Sequence, residues 1–303
     1  MANGGKITTT GLNNALNRAY KSTPDYTAPY QFKVGIGYTT PTTTDTDLEI
    51  AVPITNGTVN DDGDNQLTGS SGGDNTTDNT TTYKPGAGLT DNTAQNLIAN
   101  NTATTKIWTI ADLATNGNDV VSTQFIGQWL YIKDAAALAK IVSVEFKYGE
   151  DSSNYYSITT LVANLAVGWN WITGNTDTVA DLDETGTVTG DLDTFIIEIV
   201  TNNATDTFVA GDVIYDLLRQ WETSDLFKTF VSGYPTLDEV NIRSTIRCYL
   251  TTLEANGFLL REIAIYNNDG TPILLMRDVY DEHSKSSTDE FAYVLKDEME
   301  EGT

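Results

Sequence analysis

The chain is poor in the residues that cross-link or catalyse. Of its 303 residues one is cysteine, Cys248, and one is histidine, His283. A lone cysteine excludes an intrachain disulfide. So few thiols and imidazoles exclude the common zinc sites. A Ser–His–Asp or Cys–His arrangement would have to use His283, which sits in the polar stretch 281–287 with no partner marked by the sequence. Basic residues are scarce too, 17 against 42 acids, for a net charge of −25. Such a surface repels phosphate backbones and anionic membranes, so nucleic-acid binding and membrane docking are set aside. It suits solubility in salty water, basic partners or divalent cations. No apolar run approaches the roughly 18 residues of a membrane span. The opening MANGGK has no signal-peptide stretch, so synthesis in a cytoplasm without the usual export is expected. A glycosidase-type carboxylate pair is the catalytic arrangement that so many acids leave open. Nothing in their spacing selects a pair, and the chain is read as non-enzymatic.

The pattern that is present is β. Short apolar runs recur at 106–113, 124–132, 142–148, 155–161, 169–172, 194–201 and 212–221, separated by Gly, Asn, Asp and Ser. Val144, Phe146 and Tyr148 alternate with Glu145 and Lys147, as in a half-buried strand. This count of strands predicts a β-sandwich over 105–224. Residues 134–140 (DAAALAK) read as a helical turn with Asp134 as N-cap.

Before this unit, residues 57–104 are dominated by Asn, Thr, Asp and Gly and read as a polar arm or linker. Residues 61–64 (DDGD) lack the bidentate glutamate of a calcium loop. On either side of it the two ends look like halves of one domain. Residues 11–20 (GLNNALNRAY) predict a helix with Leu12, Ala15, Leu16 and Ala19 on one face. Residues 31–37 and 48–54 predict two strands, too few to close a core alone. In 225–303, residues 240–250 alternate as a strand, and 258–266 and 271–280 flank Asn267–Gly270, where Asp-Gly predicts a tight hairpin with positive φ. The fold class expected is mostly β: a jelly-roll sandwich inserted into a small discontinuous α+β anchoring domain, 1–56 with 225–303, carrying one N-terminal helix.

Residues 11–20, 31–40 (QFKVGIGYTT), 45–54 and 261–277 (REIAIYNNDGTPILLMR), ending near Ser284-Lys285-Ser286, resemble tail-fibre, collar and baseplate-associated proteins of tailed bacteriophages. That resemblance implies a virion structural protein, homo-oligomeric and in contact with other virion proteins; capsid decoration is the close variant. Residues 128–133 (QWLYIK), 152–157 (SSNYYS), 168–172 (GWNWI) and 211–221 (GDVIYDLLRQW) are similar to the jelly-roll sandwiches of carbohydrate-binding modules and concanavalin-like lectins. This second resemblance implies the sandwich and offers an alternative function, attachment to a host surface glycan. The candidate sugar-stacking rings are Trp129, Tyr155, Tyr156, Trp169 and Trp171. Trp169 and Trp171 share one side of a strand, so they are jointly buried or jointly displayed. Tyr155 and Tyr156 face opposite sides. Core packing is the competing reading for all five. Asp216 matches the closing-strand aspartate that often binds calcium in such modules; no other cofactor is expected.

Overall fold

A computed structural model of the chain describes residues 3–55, 57–62, 68–69, 79–80, 94–113, 124–175, 183–238 and 243–298. The protein is mostly β. Its described residues form two compact units: those of 1–56 with 224–303, here the split unit, and those of 57–223, the sandwich. The split unit begins with β1 (Asn3–Ile7), α1 (Thr9–Tyr20), β2 (Pro29–Gly35) and β3 (Ala51–Val52). Of the strand expected over 48–54 only the two residues of β3 pair, although Leu48 and Ile54 are also buried.

The sandwich follows as β4 (Thr58–Asp61), β5 (Thr68–Gly69), β6 (Asn79–Thr80), β7 (Ala94–Asn96), β8 (Thr105–Ile110) and β9 (Gln124–Ile132). After α2 (Ala135–Leu138) come β10 (Ile141–Gly149), β11 (Tyr155–Leu161), β12 (Gly168–Asn175), β13 (Asp183–Thr185), β14 (Thr194–Thr201) and β15 (Val213–Glu222). One sheet runs β12-β9-β15-β7-β6, with β4 also on β15; the other runs β13-β11-β10-β14-β8-β5. The pairings are antiparallel, and alternation sorts each strand between a core face and an outer face. Val144, Phe146 and Tyr148 join Phe195, Ile197 and Ile199 from one sheet; Ile126, Leu130, Ile132, Val213 and Tyr215 come from the other. Phe195 bridges the layers, its ring 5.8 Å from Phe146 and 5.3 Å from Tyr215. Asp134 caps α2 as its sequence predicts, accepting from the Ala137 amide at 2.8 Å.

The polar stretch 57–104, expected to be an arm or linker, instead supplies sandwich strands. β4 and β7 pair with β15, and Leu97 and Ala99 are fully buried in the core. Their neighbours Gln95 and Asn96 are buried as well, so the segment's low apolar density hid a packed strand. Lys106, also inside, is held by neutral acceptors, the Asn101 carbonyl at 3.0 Å and its side-chain oxygen at 2.8 Å. The remaining residues of this stretch lie outside the described ones.

The chain then returns to the split unit with β16 (Lys228–Thr229), β17 (Thr236–Asp238), β18 (Arg243–Leu250), β19 (Phe258–Asn267), β20 (Leu274–Lys285) and β21 (Phe291–Glu298). Its main sheet is ordered β1-β20-β19-β2-β16. β2, from the N-terminal segment, thus lies between two strands of the C-terminal one, with Phe32 opposite Ile265 and Val34 opposite Ile263. A smaller sheet, β17-β18-β21, buries Ile246, Cys248 and Leu250. The hairpin between β19 and β20 is present, but not as a two-residue turn. No residue from 267 to 273 has positive φ. The Asn267 side chain closes a longer loop by accepting from the Ile273 amide at 2.8 Å.

A buried charge cluster ties the two segments. Glu262 on β19 is fully buried, and Arg277 on β20 is 3% exposed. Arg277 Nε donates to Glu262 Oε2 at 2.9 Å, and its Nη1 donates to Asp45 Oδ2 at 2.9 Å. The same Glu262 carboxylate accepts the amides of Gly37 at 3.0 Å, Glu49 at 3.1 Å and Ile50 at 2.9 Å. Glu49 accepts the amides of Tyr38 and Thr39, each at 2.8 Å. Gly37 is required here, since a Cβ at that position would meet Glu49 Cβ at 2.5 Å and Glu262 Oε1 at 2.6 Å.

Removing one partner of a buried ion pair strands the other. Arg277→Met is expected to cost about 3–5 kcal/mol in urea unfolding of the split unit; a loss near zero would contradict the role given to this pair. The cluster also sets a pH dependence. Burial pushes the Asp45 and Glu49 carboxyls up, but donors from Thr42, or from Thr39 and Tyr38, and the Arg277 charge together leave both below their ordinary values. Their contribution is therefore complete above the unfolded carboxylate range, about pH 4–5, and lost as the pH falls through the lower folded values. A thermal midpoint that falls on acidification below about pH 4 is expected, with a shallower fall in Glu49→Gln.

Candidate functional site

The outer face of the β12-β9-β15 sheet carries a run of aromatic rings. On β9, Phe125, Trp129 and Tyr131 point outward while Ile126, Leu130 and Ile132 enter the core. β12 sets Trp169 opposite Tyr131 and Trp171 opposite Trp129; β15 sets Trp221 opposite Phe125. The rings then touch in sequence. Phe125 stacks on Trp221 at 5.7 Å, Trp221 on Trp171 at 5.7 Å, and Trp171 tilts against Trp129 at 5.2 Å. Trp129 meets Trp169 edge-on at 6.3 Å, and Trp169 meets Tyr131 at 5.3 Å. Each such pair adds about 0.5–1.5 kcal/mol beyond its buried area.

Two backbone features make this run possible. Gly127 lies where the rings cross β9: a Cβ there would stand 2.4 Å from Trp171 Cζ2 and 2.6 Å from Trp221 Cη2. The second is a bulge in β15. Leu217 has φ 58°, and the register slips one residue between Asp216 and Arg219. Strict alternation would send Arg219 to the face opposite Asp216. The bulge returns it to the same face, where its guanidinium lies 5.3 Å from the Trp171 ring. Arg219 is fully buried and Asp216 is 2% exposed. Burial pulls the Arg219 guanidinium down to about 9, against the opposing pull of Asp216. No sequence signal marks a bulge at Leu217, and Arg219 therefore goes unnoticed in the chain read as a string.

The five candidate sugar-stacking rings are divided by the fold. Trp129, Trp169 and Trp171 come together on this face, with Trp169 and Trp171 on one side of β12 as their spacing predicts. Trp129 is 4% and Trp171 9% exposed, so neither presents a ring face to solvent, whereas Trp169 and Tyr131 are half-buried. Tyr155 and Tyr156 belong to the other sheet, both half-buried and on opposite sides of β11. Tyr156 packs on the core. Tyr155 lies outward, its ring 5.1 Å from Lys147 Nζ, which Glu198 accepts at 2.6 Å. Burial works against the Lys147 charge, but Glu198 and Glu145 outweigh it and its pKa is raised.

Asp216, the calcium candidate, is enclosed and shares its environment with the Arg219 cation; among the described residues no group of three or more His, Cys, Asp or Glu is placed to hold a metal ion. His283 packs against the Phe291 ring at 5.1 Å. Cys248 is fully buried, and burial pushes its thiol well above the usual range.

No family model matches the chain, and no curated protein matches it in sequence. Among solved structures it is similar to one described under "Structural basis for the promiscuous specificity of the carbohydrate-binding modules from the beta-sandwich super family", at 15% identity and a TM-score of 0.35, over 65% of this chain and 87% of that one. It is also similar to a "Pore forming protein" at 10% identity and a TM-score of 0.12, over 67% and 85%. Both scores are too low to define a common fold, so the sandwich architecture rests on the strand pairing described above.

Rings at the centre and at the end of the run should behave differently. Trp171→Ala, at the buried centre, is expected to cost about 3–5 kcal/mol by chemical unfolding. Trp169→Ala, at the half-exposed end, is expected to cost less than half of that. Equal losses would contradict the division into buried and rim positions.

Proposed function

We propose that this chain is a non-catalytic structural protein of a tailed-phage particle, a tail, collar or baseplate adaptor or fibre base. In this reading the split unit makes the assembly contacts and the sandwich is the projecting module. The observation that carries it is the construction of the split unit. Its strands interleave the two ends of the chain around a buried charge cluster, and the segments resembling phage tail-fibre, collar and baseplate proteins are the ones that interleave. Residues 31–40 supply β2 and the Gly37 loop, 45–54 supply Asp45 and Glu49, and 261–277 supply Glu262 and Arg277. The rest of the molecule favours scaffold over chemistry. Half of the outer-face aromatics, Trp129, Trp171 and Trp221, are packed away, and the one imidazole is packed against Phe291. Mass spectrometry of purified particles of the phage encoding the chain is expected to find it at a fixed stoichiometry. Presence in the infected-cell lysate with absence from particles would overturn the proposal. Imaging of the same particles separates a tail from a head position.

The half-buried pair Trp169 and Tyr131 favours a second reading, in which the sandwich binds a host surface glycan at the rim of the aromatic run. Its test is a glycan array with the whole chain. Binding that disappears in Trp169→Ala with the circular dichroism unchanged supports it. Binding to no polysaccharide, or binding unaffected by that change, removes it.

A further inference from the structure

We infer that the outward face of α1 is a contact through which copies of this chain associate. Leu12, Ala15, Leu16 and Ala19 recur at i, i+3, i+4 and i+7, a stripe that ordinarily faces its own core. Here it faces away. The positions that α1 buries are Gly11 and Asn14. Leu12 is 50% and Leu16 57% exposed, and Tyr20 at the end of the helix is 84% exposed.

This orientation is fixed by the first turn. The Thr8 hydroxyl donates to the Leu274 carbonyl at 2.7 Å and accepts the Gly11 amide at 2.9 Å. The Thr8 amide donates to Leu275 O at 3.0 Å, and the Thr9 amide to Thr43 O at 2.8 Å. Gly11 lies directly on β20, where a Cβ would fall 2.1 Å from Leu275 O. Rolling the leucines inward would break the cap and drive side chains into that backbone. The exposed stripe is thus built into the fold.

Charge selects a second copy as the occupant. With a net charge of −25, copies of the chain repel one another over most of their surface. α1 carries no acid, and its one basic residue, Arg18, donates to the Tyr26 carbonyl at 3.0 Å. On this face two copies meet without opposed carboxylates, and a strongly charged partner finds no counter-charge. A stripe of large and small apolar residues at this spacing is also self-complementary. Leucines of one helix fit beside alanines of the next, and the same patch serves both partners. A 12-residue helix spans only about 18 Å, and its stripe covers less than the roughly 800 Å² per partner of a standard interface. Association is accordingly expected to depend on concentration in dilute solution.

The inference gives a surface to the homo-oligomer of the proposed reading, and it is read on the purified chain alone. Its failure therefore leaves the particle composition result untouched. Sedimentation velocity of the whole chain, from low to high micromolar concentration, is expected to show reversible oligomers. The Leu12→Glu/Leu16→Glu variant is expected to remain monomeric throughout, at least tenfold weaker in association. Its thermal midpoint should be unchanged, since both side chains lie at the surface. A second variant guards against misfolding. Leu16→Cys should form a disulfide-linked dimer under mild oxidation, faster than Leu253→Cys, whose side chain is 73% exposed elsewhere in the split unit. A wild-type chain that stays monomeric, oligomers that persist in the double variant, or equal cross-linking of the two cysteine variants would each overturn the inference.

Discussion

The Glu262–Arg277 ion pair is the interaction on which the split unit depends. Neither charge is tolerable alone in that interior, because a stranded buried ion loses its hydration without compensation. Together they are satisfied, but only if the N-terminal segment is present. Gly37, Glu49 and Ile50 give their amides to Glu262, and Asp45 gives its carboxylate to Arg277. The loop between β2 and β3 is thereby held to strands that lie more than 200 positions later in the chain. Lys33 repeats the device nearby: its ammonium meets Asp47 at 2.8 Å and lies 4.6 Å from the Phe227 ring. Such ties let a domain be interrupted by a long insertion and still close. The interruption itself is short in space within the split unit, since the Ile54 amide donates to the Asp225 carbonyl at 2.8 Å.

In the sandwich the corresponding constraint is steric. Four tryptophans, Trp129, Trp169, Trp171 and Trp221, share the outer face of one sheet with Phe125 and Tyr131. Space for this comes from an absent side chain at Gly127 and an extra residue at Leu217. The bulge places a cation against the Trp171 ring and an acid in the same enclosed environment. The result is a packed second layer on what alternation alone would make a solvated face. Its two ends, Trp169 with Tyr131 and Phe125, reach solvent, while Trp129, Trp171 and Trp221 between them are buried.

Much of this was legible as pattern. The alternation of Val144, Phe146 and Tyr148 specifies a face because a strand has period two, and Asp134 caps α2 for a local reason. The shared side of Trp169 and Trp171 follows from the same period. Misreadings arose where structure is decided by groups distant in sequence. Gln95 and Asn96 are polar yet buried beside Leu97, so composition gave no sign of a strand. The stripe of α1 announces a helix correctly, but which side faces the sheet is decided by Thr8, Gly11 and their contacts with Leu274 and Leu275. The Asp-Gly pair marks a hairpin, while the Asn267 side chain decides its loop. Arg219 is reached only through a bulge that nothing local encodes.

If the two ends of the chain form one self-sufficient unit, the sandwich is dispensable to it. The direct measurement replaces residues 56–224 with a short glycine–serine link between the neighbouring positions 55 and 225 and follows amide exchange. Cooperative unfolding, with protection of the Glu49 and Ile50 amides that is lost in Glu262→Gln, is the predicted result. A shortened chain that is unfolded, or one whose Glu49 and Ile50 amides exchange at unfolded rates, would contradict it.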